Sequence, residues 1–170
     1  MSTAYVGIGA NLDGPAERVA WAIGELAALG RVAASSLYRS EPLGDPDQPW
    51  YVNAVARLET ERDPQALLAE LQALERRAGR PVEHERWAAR VLDLDLLLYD
   101  ARIVRVPGLT LPHPELHRRR FVLEPLCEIA PHARDPRSGR SAEELLKDLE
   151  DPLRVERLSG HSGDGPAGLR

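Results

Sequence analysis

Apolar positions along the chain change period several times, and each change marks an element. Tyr5 to Gly9 reads as a short strand, after which Asp13-Gly14-Pro15 supplies a turn and a proline suited to a first helical turn. Between about Pro15 and Leu29, Val19, Ala22, Ile23, Leu26, Ala27 and Leu29 recur at three-to-four spacing, which predicts a helix with Gly30 placed to end it. Arg31 to Ser40, with β-branched and aromatic content, reads as a second strand. Glu41 to Trp50 holds three prolines, a glycine and two aspartates and is expected to be an exposed loop. Tyr51 to Thr60 alternates, with Val52, Ala54, Ala56 and Leu58 on one face and Tyr51, Asn53, Val55, Arg57 and Glu59 on the other. Asp63 caps a helix that opens on Pro64, shows the stripe Leu67, Leu68, Leu71, Leu74 and Ala78, and closes at Gly79. Polar residues 80–90 precede a strand over Val91–Tyr99. A short strand near Arg102–Val106, a proline-rich turn at Leu111–Pro114 and short helices near Glu115–Arg119, Val122–Glu128 and Ala142–Leu149 complete the prediction.

The order strand–helix–strand–strand–helix–strand predicts an α+β, ferredoxin-like antiparallel sheet with two helices on one face and extra short C-terminal helices. The rows Val52/Ala54/Ala56/Leu58 and Leu92/Leu94/Leu96/Leu98 are expected under the helices, with the opposite sheet face free for chemistry. At 170 residues, a single domain over 1–155 and a loose tail over 156–170 are expected. A net charge of -5 argues against a nucleic-acid partner. No apolar run approaches a membrane span and the opening residues lack the pattern of a signal peptide, so no membrane association and a cytoplasmic location are expected. Cys127 is the only cysteine, which excludes an internal disulfide and multi-cysteine metal sites. Lys147 is the only lysine and has no glycine-rich lead-in, which excludes a Walker P-loop. Gly7-Ile8-Gly9-Ala10-Asn11-Leu12 has Leu12 where a dinucleotide fingerprint needs its third glycine. It reads better as a strand end that something approaches closely.

The sharpest chemical feature is Leu92-Asp93-Leu94-Asp95-Leu96. Period-two geometry puts both carboxylates on one face, about 6.5–7 Å apart. Two carboxylates on a solvated face, or each paired with an arginine, are the bland reading. The apolar context and the low strand preference of Asp favour a metal site, and hard oxygen donors favour Mg²⁺. Arg80, Arg86 and Arg90 flank the pair, together with His84 and Trp87, either as a solvated loop or as phosphate-binding forks. Of Arg118-Arg119-Arg120, one is expected to face a ligand, because consecutive helical residues diverge. Aromatics make up only 5% of the chain, so Trp50, Tyr51, Trp87 and Phe121 around Asn53 suggest a slot for a planar heterocycle; core or rim packing is the alternative. A noncatalytic ferredoxin-like binding module and a Mg²⁺-dependent phosphoester hydrolase are the competing functional readings.

Ile8-Gly9-Ala10-Asn11-Leu12, Tyr38-Arg39-Ser40-Glu41-Pro42-Leu43-Gly44, Asp47-Gln48-Pro49, Tyr51-Val52-Asn53-Ala54, Arg86-Trp87 through Arg90-Val91-Leu92-Asp93-Leu94-Asp95, and Leu111-Pro112-His113-Pro114 together resemble the 6-hydroxymethyl-7,8-dihydropterin pyrophosphokinase family over about Tyr5 to Pro131. The resemblance implies transfer of diphosphate from ATP, as co-substrate, to the hydroxymethyl group of a reduced pterin in folate biosynthesis. It implies two Mg²⁺ ions held by Asp93 and Asp95, and catalytic roles for Arg80 and Arg90 together with those aspartates. Ser40, Leu43, Tyr51, Asn53, Trp87 and Phe121 match pterin-site positions. Gln72, Glu75, Arg80, Trp87, Arg90, Leu96, Thr110, His113 and Arg119 match ATP-site positions. The implied partners are these two small molecules, and a monomer is expected. Val82, Ala88, Ala89, Glu41 and Gly108 depart from common family residues in the loop segments and near the adenine site.

Overall fold

A computed structural model describes residues 1–79 and 91–159. The elements are β1 (Ser2–Ala10), α1 (Pro15–Leu26), β2 (Arg31–Ala34), β3 (Tyr38–Ser40), β4 (Tyr51–Thr60), α2 (Pro64–Arg77), β5 (Asp93–Tyr99), β6 (Val104–Val106), β7 (Leu109–Leu111), α3 (Arg120–Ile129), α4 (Ala142–Lys147) and β8 (Val155–Arg157). The main sheet is antiparallel in the order β5-β1-β4-β3-β8, with β2 also on β4, and β6 and β7 form a separate hairpin. Mixed α/β architecture is thus observed, with four α-helices among the described residues.

Alternation on β1 and β4 decides which side chains meet the helices. Ala4, Val6, Ile8 and Ala10 join Val52, Ala54, Ala56 and Leu58 beneath Val19, Ala22, Ile23 and Leu26 of α1 and Leu67, Leu71 and Leu74 of α2. Asp63 caps α2 as expected, accepting the Ala66 N–H at 2.8 Å, and Gly79 follows its end at φ +92°.

Four expectations about the sheet change. On β5, Leu92, Leu94 and Leu96 lie in the helix-side core, but Leu98 does not. The register slips between Tyr5 and Val6, so Val6 opposes Leu96 while Tyr5 opposes Leu98. The extra residue, Leu97, reverses the faces beyond it, sending Leu98 to the far side and Tyr99 to the helix side. The far face is also only partly open, because Val55, Leu97 and Leu98 pack there against Leu116, Val122, Leu123, Leu126 and Leu145 around α3 and α4. The strand predicted over Arg31–Ser40 is two strands. Ser35 replaces a main-chain partner at the break by accepting the Val55 N–H on its hydroxyl at 3.0 Å while its own N–H donates to the Val55 carbonyl at 2.8 Å. Finally, Glu156 and Arg157 are not loose: β8 pairs Ser40 with Val155, Arg39 with Glu156 and Tyr38 with Arg157.

Glu128 of α3 ties these parts together. Its carboxylate accepts from the Ser36 N–H and, at 3.2 Å, from the Tyr38 hydroxyl, and it pairs with Arg157 at 3.1 Å. Burial and that carboxylate push the Tyr38 phenol up to about 12, so it remains a donor throughout the neutral range.

Candidate active site

The open part of the far face is a cleft of about 690 Å³ whose floor follows from the strand register. Asp93 opposes Gly9, which opposes Asn53. One step along, Asp95 opposes Gly7, which opposes Val55. Two glycines on β1 therefore leave a bare channel between an acidic strand and an amide-bearing strand, two strand spacings or roughly 10 Å apart. At Gly9 the approach is too close for a side chain, since a Cβ there would lie 2.9 Å from Asn53 Oδ1, whereas one on Gly7 would meet Leu97 at 3.4 Å, an ordinary contact. The sequence reading of this segment, a strand that lets something approach closely, finds its physical form here.

On the amide side, buried Asn53 donates through Nδ2 to the Ser40 hydroxyl at 2.6 Å, which leaves Oδ1 beside Gly9. Tyr51, Leu43 and Phe121 line the same end. On the acidic side the cleft turns around the sheet edge at β5 toward α2. Glu75, buried, accepts the outward Leu94 N–H at 3.0 Å and so covers part of that edge, with Gln72 and Arg76 beside it.

His113 closes the acidic end. Its N–H donates to the Leu97 carbonyl at 2.9 Å, and its Nδ1 accepts the Glu115 N–H at 3.1 Å. The ring proton of the neutral form is thereby directed to Nε2, which faces Asp95 Oδ2 at 4.0 Å. That separation is too long for a direct hydrogen bond. Burial, reinforced by the Arg119 guanidinium, lowers the imidazole to about 4 despite the nearby carboxylates. Desolvation outweighs the ion pair, and His113 is a neutral Nε2–H donor at pH 7. We expect its ring resonances to titrate below pH 5; a midpoint near the ordinary 6.5 would contradict the burial argument. Because the folded value lies below the unfolded one, this group lowers stability as pH falls from about 6.5 toward 4.

Two carboxylates on one strand face, without soft ligands, fit a hard divalent cation that completes its shell with water and phosphate oxygens. No cluster of three or more His, Cys, Asp or Glu side chains suited to a metal occurs among the described residues. An all-protein cage is not what the described residues offer, and the donor set suits Mg²⁺.

Residues 5–131 match the sequence profile of 7,8-dihydro-6-hydroxymethylpterin-pyrophosphokinase. The chain belongs to that family. A pyrophosphokinase of Haemophilus influenzae acting on 2-amino-4-hydroxy-6-hydroxymethyldihydropteridine is 46% identical over 154 residues, covering 89% of this chain and 95% of that protein. Its Pseudomonas aeruginosa namesake is 45% identical over 160 residues, covering 92% and 96%. A solved Plasmodium falciparum HPPK-DHPS structure with pteroate shares the fold at TM-score 0.64 and 12% identity. It covers 86% of this chain, which spans only 42% of that longer one.

Of the positions that the family resemblance singles out, Ser40, Leu43, Tyr51, Asn53, Phe121, Gln72, Glu75, Asp93, Asp95, His113 and Arg119 all line the one cleft. Leu96 and Thr110 do not. The Leu96 side chain is buried in the helix-side core, so only its main-chain groups, which alternate to the same edge as those of Leu94, face outward. Thr110 is exposed on β7, opposite Arg105. Arg80, Trp87 and Arg90, with Val82, Ala88 and Ala89, lie outside the described residues. Trp50, grouped with the slot aromatics, instead meets the guanidinium of Arg39 at 4.4 Å. Leu97 and Arg76 line the cleft without having been singled out: Leu97 follows Asp93 and Asp95 in the same strand alternation, a signal the sequence did carry, and Arg76 is one of many helix-surface arginines in the sequence.

Proposed function

We infer that this cleft transfers the diphosphate group of ATP to the hydroxymethyl group of a reduced pterin, the reaction named for its relatives. The carrying observation is the glycine-floored channel with carboxylates on one bank and an amide with aromatic rings on the other. A flat pyrimidinone edge needs paired donor and acceptor groups, and Asn53 braced by Ser40 supplies an oriented amide. Tyr51 and Phe121 supply ring faces for stacking. On the other bank, Asp93 and Asp95 would hold Mg²⁺, two ions in this reading, which when bound neutralises triphosphate charge. Arg119 and Arg76 add positive charge at the cleft wall, and His113 offers Nε2–H to an oxygen. Arg80 and Arg90 are assigned to the reacting phosphates, and Trp87 to the substrates, on their sequence positions. Leu96 is assigned to ATP through its main chain, and Thr110 on its match to an ATP-site position.

In the reaction the pterin hydroxyl oxygen bonds to the β-phosphorus, the bond from that phosphorus to the α–β bridging oxygen breaks, AMP departs and the hydroxyl proton passes to solvent. A neutral His113 whose Nδ1 already accepts a main-chain N–H is a donor rather than a base. Rate acceleration then comes from alignment and charge neutralisation. The same proposal takes the fold as ferredoxin-like. With β2 and β3 counted as one interrupted strand, the sheet order β5-β1-β4-β3 is fourth, first, third, second, which supports it. It also takes the expected 1–155 unit, extended through β8 to Arg157, as one catalytic domain acting as a cytoplasmic monomer on small molecules, not on nucleic acid. No described helix is long and apolar enough to cross a membrane.

Chromatography of ATP, Mg²⁺ and 6-hydroxymethyl-7,8-dihydropterin with the protein tests the chemistry. AMP and the pterin diphosphate are expected in equal amounts. ADP as the main nucleotide, or ATP cleavage at an unchanged rate without pterin, overturns it.

A further inference from the structure

The loop joining β3 to β4, residues 41–50, forms the rim of the amide-side end, where Glu41 and Leu43 line the cleft. One side chain from far along the chain holds both ends of this loop. Arg154 donates through Nε to the Glu41 carboxylate at 2.7 Å, and its guanidinium lies 5.0 Å from the centre of the Trp50 ring. The main chain repeats the tie, with the Glu41 N–H donating to the Arg154 carbonyl at 3.1 Å. Arg39 also covers Trp50, and pairs with Glu156 of β8 at 3.2 Å. Buried Asn11 anchors the far limb by donating to Gln48 Oε1 at 3.3 Å and to the Pro49 carbonyl at 3.2 Å.

Ends held together remove conformational freedom from the segment between them. Arg154 is 69% exposed, and exposed ion pairs contribute little to global stability. What the contact constrains is therefore local, and the local element is the substrate-facing rim. We propose that Arg154 is a positioning residue for the pterin: the segment leading into β8 is a latch that holds the 41–50 loop in its substrate-ready form. This rests on the pterin assignment of the cleft. A flat ring stacked near Leu43 and Tyr51 meets a rim already in place, whereas without the latch binding must first order it. ATP, assigned to the β5 and α2 side, does not depend on the rim.

The test uses the full chain with Arg154→Ala and Arg154→Lys, reading hydrogen–deuterium exchange, kinetics with each substrate varied, and melting. For Arg154→Ala we expect exchange across 41–50 to quicken and KM for the pterin to rise about fivefold, with kcat, KM for ATP and the melting midpoint nearly unchanged. Arg154→Lys keeps the charge beside Glu41 but loses the planar fork, and should fall between alanine and wild type. Unchanged exchange at 41–50 overturns the latch. Faster exchange with an unaltered pterin KM overturns the positioning role. A joint rise in both KM values with a fall in melting makes Arg154 merely structural and also overturns it. If the wild-type chain makes no pterin diphosphate, the assignment of the cleft fails, and exchange at 41–50 still decides the latch.

Discussion

Asp95→Ala and Asp93→Ala should each lower turnover by about three orders of magnitude, on the scale of other lost charge-stabilising contacts, while the melting midpoint stays within a few degrees of wild type. The two effects separate because of where β5 sits. It is the edge strand of the main sheet, and its apolar residues carry its packing while the two carboxylates stand half-buried on the cleft side opposite glycines. Replacing either by alanine removes no core volume and leaves no cavity, so the fold has little to lose. The site loses half of its hard-oxygen donor set, because no third acidic or imidazole ligand completes a cluster among the described residues. Turnover and melting must be measured on the same preparations over a Mg²⁺ titration. Near-normal turnover at limiting Mg²⁺ in either variant would remove the metal assignment, and a large melting loss would show that the pair is structural.

Gly30→Ala should destabilise the protein by about 3 kcal/mol, at the upper end of overpacking costs, without altering the chemistry of the cleft. An ideal Cβ at this position would lie 2.0 Å from the Glu59 carbonyl oxygen, 2.9 Å from its carbon and 3.1 Å from Leu58 Cδ1. The first two are main-chain atoms of β4 and cannot swing aside as a side chain would. Nor is the corner free to open. Thr60 donates to the Leu29 carbonyl at 3.0 Å, Arg62 donates to the same oxygen at 3.2 Å, and Arg31 opposes Glu59 in the sheet. Denaturant unfolding measures the loss. A change below about 1 kcal/mol would mean that the corner relaxes, and the close approach would not be what demands glycine there. The residue was expected to end a helix. The helix instead closes at Leu26 with Ala27 as its cap, and Gly30 serves a backbone crossing that links residues 29 apart in sequence.

That reassignment shows what a sequence alone can decide. Alternation in Tyr51–Thr60 and the stripe of Leu67, Leu71 and Leu74 identified a strand and a helix, because the solvent boundary imposes periods of two and 3.6 on neighbouring residues. The same local rule put Asp93 and Asp95 on one face, and Tyr51 and Asn53 on one face, before any tertiary contact was known. Motif order was enough to indicate the family. What escaped depends on pairs distant in sequence. The bulge at Leu97, which sends Leu98 away from the helices, is a misfit between β1 and β5 and leaves no mark on β5 itself. The strand Val155–Arg157 has too little apolar content to announce itself and exists because β3 offers it an edge. Trp50 looked like a slot residue by its neighbours, yet its contacts are Arg39 and Arg154, the second brought there from the other end of the chain. Periodicity thus determined the elements and the chemistry they carry, since those are governed by residues within a turn or two. Register, edge pairing and the closing of the rim loop were decided only by tertiary structure, since each is a contest between partners that no local pattern encodes.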